Sequence, residues 1–174
     1  MTDSKTSGDG GSNEYDVVVV GAGFSGLYQV YRLREMGLRV LCLEAAPAVG
    51  GTWYWNCYPG ARVDSEAKVY QYWFSEELID EWDWSERFPA QPETERYLNY
   101  VADKFDLRRH IQFNTRVNAA HWDEGGRCWR VDTEQGERFS GRYFISCAGV
   151  LSVPKVPDIP GQERFSGTVA VSYT

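Results

Sequence analysis

The sequence predicts an α/β fold, a Rossmann-type parallel sheet flanked by helices and carrying an antiparallel β-meander as an insertion. Three observations predict it. Tyr15-Asp16-Val17-Val18-Val19-Val20 is a β-branched run with little polar alternation, as expected of a strand buried on both faces of a parallel sheet. Gly21-Ala22-Gly23-Phe24-Ser25-Gly26 breaks that run and leads directly into a helical pattern. A second apolar run, Arg39 to Glu44, follows the helix stop at Gly37 and completes a β-α-β unit, whose crossover should be right-handed.

The elements follow in order. Residues 1–13 are Gly, Ser, Thr and charged groups with nothing to bury, which predicts a disordered tail and a domain over 14–174. In the first helix Leu27, Val30, Tyr31 and Arg34 share a face, with Leu33 beside them. Residues 45–75 show little periodicity and many Gly, Trp and Tyr, too aromatic for disorder and long enough to suggest a functional loop. Ser75 to Arg87 reads as a short amphipathic surface helix and loop. Pro92 opens a longer helix in which Leu98, Val101 and Phe105 recur on one face. Ile111-Gln112-Phe113 resumes strand character. Three strand-like pieces, 115–122, 127–133 and 138–147, are parted by the turns Glu124-Gly125-Gly126 and Glu134-Gln135-Gly136. They predict a meander whose last strand, through Tyr143 to Cys147, returns to the main sheet. Ala148-Gly149 ends it, and Pro154, Pro157 and Pro160 follow. The stop at Thr174, just after a new apolar stretch begins, predicts a truncated domain.

Composition excludes several function classes. Among 174 residues, 18 Lys+Arg stand against 25 Asp+Glu, a net charge of −7, so general nucleic-acid binding is not expected. No apolar run approaches the ~18–20 residues needed to span a bilayer, and the first residues lack a signal-peptide pattern. Cys42, Cys57, Cys128 and Cys147 are scattered, without a Cys-x-x-Cys pair and with only two His, which predicts no metal site and a reducing, cytoplasmic setting. Cys42 and Cys147 read as small core residues, and His110 and His121 as surface residues. The acidic run from Glu76 to Glu86 reads as a solvated helix face.

Two motifs carry chemistry. In Gly21-x-Gly23-x-x-Gly26 the first glycine allows the tight turn, the second lets backbone approach a pyrophosphate, and the third permits close helix–strand packing. The helix N-terminus then offers free N–H groups to phosphate. Glu44 stands 18 residues after Gly26, where an acid accepts hydrogen bonds from ribose hydroxyls and repels a 2′-phosphate. That favours FAD or NAD over NADP at this turn; the bland alternative is a glycine turn with an incidental acid. The second motif is Gly50-Gly51-Thr52-Trp53-Tyr54-Trp55-Asn56-Cys57-Tyr58-Pro59-Gly60-Ala61-Arg62-Val63-Asp64. Two readings stand for it. The glycine pair could pass a bound dinucleotide with flat aromatics against a flavin, and Arg62 could pair with Asp64 or meet a charged ligand; or an aromatic loop simply closes a core.

Together with Phe144-Ile145-Ser146-Cys147-Ala148-Gly149 and the segment after it, these motifs resemble the N-terminal part of the Baeyer–Villiger monooxygenases. The resemblance is nearest to the branch acting on phenylacetone and steroid ketones, and covers residues 15 to about 168. It implies FAD on the first Rossmann unit and NADPH on a second, so the chain would be an incomplete FAD domain of a two-dinucleotide-domain flavoprotein. Reduced flavin and O2 would give a C4a-peroxyflavin that inserts oxygen next to a ketone carbonyl, yielding an ester or lactone. By position, the resemblance places FAD phosphates at Gly21, Gly23, Phe24, Ser25 and Gly26 and the ribose on Glu44. It lines the flavin with Gly51, Thr52, Trp53, Tyr54 and Trp55, sets Asp64 and Tyr70 near the flavin and its chain, and sets Val117 near the adenine. Arg62, Val63 and Asp64 would also face the nicotinamide cofactor. Asp64 matches a catalytic acid that holds an arginine stabilising the peroxide anion; its bland alternative is a loop-capping acid. Cys57 replaces a family arginine. Phe165, Gly167 and Ser172 fit the family's identifying stretch, whereas Val171 stands where a His belongs. The NADPH unit and the catalytic arginine are absent, so this chain alone is expected to be inactive. Two alternatives remain, a related N- or S-oxidising flavin monooxygenase and a non-catalytic flavin-binding fragment. Neither the ketone nor the oligomeric state is named.

Overall fold

The computed structural model describes residues 14–151 and 157–167. Expectations for residues 1–13, Pro154, Val171 and Ser172 lie outside these.

The Val run forms β1, Glu14–Val20, and the second apolar run forms β2, Val40–Leu43. Between them α1 spans Phe24–Glu35, with Leu27 and Val30 buried and Gly37 just past its end. Val17 and Val19 face one hydrophobic cluster and Val18 another, so β1 is buried on both sides and its sequence need not alternate. β1 pairs in parallel with β2, Val17 opposite Val40 and Val20 opposite Leu43.

The expected irregular stretch contains two one-turn helices, α2 at Thr52–Trp55 and α3 at Ala67–Tyr70. A single turn is too short to show a 3.6-residue period. α4, Glu76–Glu81, is capped by the Ser75 hydroxyl, which accepts from the Leu78 N–H at 3.2 Å, and acids fill its first turn. α5, Gln91–Lys104, carries Pro92 in its first turn and buries Tyr97, Leu98, Val101 and Ala102 against the sheet. Each such buried side chain contributes about 1.5–3 kcal/mol. Arg34 of α1 donates to the Phe105 carbonyl at 2.5 Å and ties the two long helices together.

A short β3, Ile111–Gln112, then pairs in parallel with β2. The meander is β4, Val117–Asp123, β5, Cys128–Thr133, and β6, Arg138–Ser146. β6 is shared. On one edge it runs antiparallel to β5, and on the other it pairs in parallel with β1 from Glu14–Ser140 to Val20–Ser146. The meander is therefore the edge of a single six-stranded sheet, in the order β3-β2-β1-β6-β5-β4. Val131 and Phe139 cover Val18, Leu41 and Leu43 on the face away from α5. Among the described residues, no helix is long and apolar enough to cross a membrane.

Candidate functional site

The carboxyl ends of β1, β2 and β6 meet the N-terminus of α1, the place where open α/β sheets hold ligands. A cleft of about 310 Å³ opens there. Its lining includes Gly21, Gly23, Phe24 and Ser25 from the glycine turn, Leu43, Glu44 and Ala45 after β2, and Gly50, Gly51, Thr52, Trp53 and Trp55 around α2. Tyr70, the stretch Thr115–Val117, and Cys147, Ala148, Gly149 and Leu151 complete it.

The glycines are where backbone meets backbone. A Cβ on Gly26 would lie 1.8 Å from the Gly21 carbonyl oxygen, so this helix turn closes onto the strand end only without a side chain. Gly51 sits at φ +54, and a Cβ there would be 2.8 Å from the Gly23 Cα. The Gly50 N–H donates to the Ala22 carbonyl at 3.1 Å, holding the two glycine loops face to face. α1 begins after Gly23 with no side-chain cap and no acid in its first turn. Its leading N–H groups and positive dipole end are thus free to meet an anion at the cleft.

Glu44 is 4% exposed, and its carboxylate accepts from the Ala22 N–H at 2.5 Å and the Ala46 N–H at 2.7 Å. One amide belongs to the glycine turn and the other to the loop after β2, so this acid holds both in place. Each oxygen keeps acceptor capacity for a further donor such as a ribose hydroxyl. The anchoring by amides was not read from the sequence, although the nearness of Glu44 to Ala22 follows once β1 and β2 are paired.

α2 presents Trp53, whose indole N–H donates to the Tyr70 phenol oxygen at 3.0 Å and whose carbonyl accepts from the Gln91 side chain. Burial raises the Tyr70 pKa, the Trp53 N–H opposes this, and the charge of Asp64 adds to the rise, so the phenol stays protonated at neutral pH. Asn56 donates to the Thr52 carbonyl at 2.9 Å and to the Leu151 carbonyl at 3.2 Å, linking α2 to the segment after β6.

Several expected residues do not line the cleft. Gly26 lies behind it, and Tyr54 packs edge-on to Trp55 at 5.0 Å. Arg62 forms an isolated antiparallel bridge with Ala90. Extended backbone there sends alternate side chains to opposite sides, so Val63 is 2% exposed inside the core while Arg62 and Asp64 face outward. Of the pairings left open for Arg62, the observed partners are Glu86 at 2.7 Å and the Phe88 carbonyl at 2.5 Å, not Asp64. Asp64 is exposed and near enough to Tyr70 to raise its pKa.

Sequence reasoning missed Thr115, Arg116 and the Ala148–Gly149 stretch as cleft residues. The Thr115 N–H donates to the Glu44 carbonyl at 2.8 Å, which brings Arg116 and Val117 to the cleft edge. Cys147 lines the cleft as well as packing on the core, and burial raises its thiol pKa.

The profile of the family described as flavin-binding monooxygenase-like matches residues 14–173. The chain belongs to that family. Among curated relatives, this flavin-binding monooxygenase-like chain is 50% identical over 152 residues to an acetone monooxygenase (methyl acetate-forming) of Gordonia sp. strain TY-5, covering 87% of this chain and 28% of that protein. It is 43% identical over 162 residues to the phenazine N-monooxygenase PhzNO1 of Lysobacter antibioticus, covering 92% and 30%. A solved structure of oxidized steroid monooxygenase bound to NADP superposes with a TM-score of 0.82 at 53% identity, covering 88% of this chain and 30% of that one. The chain thus spans under a third of the length of the relatives it matches.

Proposed function

We propose that this chain is the FAD-binding part of an NADPH- and O2-dependent Baeyer–Villiger monooxygenase that inserts oxygen next to a ketone carbonyl, giving an ester or lactone. The observation that carries the reading is the cleft itself: an uncapped helix N-terminus, two glycine loops in backbone contact, and an acid anchored between them. These suit a dinucleotide. The N–H groups from Gly23 to Ser25 would take the pyrophosphate, and Glu44 the adenosine ribose. Thr115, Arg116 and Val117 stand where an adenine would end, and Trp53 and Tyr70 supply an aromatic wall for the flavin. The charge of Glu44 disfavours a 2′-phosphate, so NADPH is assigned elsewhere. When bound, FAD would supply hydride-accepting and O2-activating chemistry. Around it the chain's own residues bind and orient: Trp53 holds the Tyr70 phenol, and the Glu44 anchor keeps the phosphate turn preformed.

Asp64 remains the proposed positioning acid for an arginine outside this chain, supported by its exposure and its influence on Tyr70. For Arg62 and Val63 the geometry offers no comparable support, because one is held by Glu86 and the other is in the core. A ketone is favoured by the acetone-oxidising relative; the phenazine N-oxidising relative keeps N-oxidation as a second reading. The proposed setting is the cytoplasm, on the scattered spacing of the four cysteines.

Titration of the chain with FAD tests the first step. Quenching of flavin fluorescence that saturates at one FAD per chain, and weakens in Glu44→Gln, is the expected result; no saturable binding overturns it. Product analysis on the protein that contains this chain, given NADPH, O2 and either a ketone or a phenazine, separates an ester from an N-oxide.

A further inference from the structure

The chain carries seven Trp and eleven Tyr, and the cleft accounts for few of them. From the cleft wall an unbroken series of ring contacts crosses the molecule. The Trp53 and Tyr70 rings are 5.9 Å apart, Tyr70 meets Phe24 at 4.7 Å, and Phe24 meets Tyr72 at 5.0 Å. Tyr72 meets Tyr97 at 5.9 Å, Tyr97 meets Trp82 at 5.2 Å, and Trp82 meets Tyr100 at 5.3 Å. Tyr100 is half-buried, and its hydroxyl donates to the exposed carboxylate of Glu81.

We propose that this series is a one-electron exit route, carrying an oxidising hole from Trp53 and Tyr70 through Tyr72, Tyr97 and Trp82 to Tyr100. The proposal rests on the flavin reading above, because a site that reduces O2 is where stray oxidants arise.

Proton chemistry separates the route from simple packing. An oxidised phenol or indole becomes a trap when a base takes its proton. The Tyr72 hydroxyl donates to the Phe24 carbonyl, a poor base, and the Tyr97 oxygen accepts from the Tyr72 N–H at 2.9 Å. Burial pushes both phenols up, so each is protonated before any oxidation. The Trp82 indole N–H is buried with no hydrogen-bond partner among the described residues, so oxidised Trp82 remains a cation able to pass the charge on. Tyr100 is the phenol of this series with a carboxylate to receive its proton, and Lys104 holds the same Glu81 oxygen at 2.6 Å. Packing explains the ring contacts. It does not explain a buried indole without an acceptor beside a phenol that has one. Phe24 is hard to oxidise and serves as the medium between Tyr70 and Tyr72.

The electron count closes. An oxygen-derived radical of the hydroxyl class takes one electron from Tyr70 or Trp53 and one proton from solvent, and becomes water. Tyr100 is left as a neutral radical, its O–H bond broken and its proton on Glu81, which returns it to solvent. A low-molecular-weight thiol at the surface then gives a hydrogen atom: its S–H bond breaks, the Tyr100 O–H bond re-forms, and a thiyl radical departs.

The test has two arms. In the first, which needs no flavin, a ruthenium polypyridyl photo-oxidant is attached to the exposed Cys57 in a Cys128→Ser, Cys147→Ser chain, fired by flash-quench, and radicals are read by transient absorption and electron paramagnetic resonance. A tyrosyl signal that disappears in Tyr100→Phe and leaves an indole cation is expected, with a several-fold lower tyrosyl yield in Trp82→Phe. The same tyrosyl signal in parent and both variants overturns the proposal, as does a signal confined to the labelled end. If Trp82→Phe does not fold, the half-buried Tyr100→Phe carries the test alone. In the second arm, bound FAD excited by blue light replaces the ruthenium. Signal in the first arm without FAD binding in the second overturns the flavin reading and leaves the route standing; loss in the first arm overturns the route whatever FAD does.

Discussion

Glu44 joins structure and the proposed ligand binding at one carboxylate. Replacing it with Gln keeps one acceptor but sets an amide donor against the Ala22 or Ala46 N–H. Hydrogen bonds to charged groups are worth about 1.5–3 kcal/mol each, so Glu44→Gln should lower stability by about that amount in urea denaturation, and weaken FAD binding beyond it. Gly26→Ala should be worse tolerated than its single methyl suggests, because the new Cβ meets a backbone oxygen at 1.8 Å and that strand end must move. The expected loss is at least the ~1–3 kcal/mol typical of overpacking, seen as a lower Tm. His110 provides a pH dependence. Burial, then Arg109 and Arg34, holds its imidazole below the ordinary 6.5. The unfolded chain therefore takes up this proton first on acidification. Its effect is absent above the ordinary pKa, and stability falls as pH drops through it. Thermal melts between neutral pH and about 5.5 should decline, and His110→Gln should flatten that slope. The carboxylates of Asp16, Glu66, Glu81 and Asp123 lie below their ordinary values, so their contributions fade only at more acidic pH.

Among the elements, length separates those the sequence foretold from those it hid. α1 and α5 are 12 and 14 residues long, enough turns for an apolar face to repeat. Leu98 on that α5 face is 0% exposed, and Leu98→Ala should cost about 2–5 kcal/mol in urea denaturation without altering the helix itself. α2 and α3 are four residues each, and one turn has no period to read. α2 is held from outside instead, by the Gln91 side chain on the Trp53 carbonyl and by Asn56 on Leu151. Those partners lie 38 and 95 positions away, beyond any local pattern. The same distance hid the burial of Val63: the bridge from Arg62 to Ala90 decides which residue of the Arg62-Val63-Asp64 trio points inward.

For the whole molecule, ligand and fold should be thermodynamically coupled, since the cleft is assembled from strand ends, α1 and two loops at once. FAD at a hundredfold excess over its Kd should stabilise the chain by about 2.7 kcal/mol, visible as a rise in Tm. NADP at the same concentration should give little through this cleft, because the Glu44 carboxylate would repel a 2′-phosphate on the ribose it is proposed to hold. The β-α-β unit, the glycine turn and the acid after β2 could be read in advance because turn chemistry and hydrophobic period act over a few neighbouring residues. The far wall of the cleft could not, apart from Val117, which the family resemblance placed near the adenine. Thr115 to Val117 and Cys147 to Gly149 reach it through the pairing of β3 with β2 and of β6 with β1. Strand order is chosen by the burial of entire faces, Val18 under Phe139 and Val131, Val17 under α1 and α5. That energy belongs to the assembled sheet and to no single stretch of sequence.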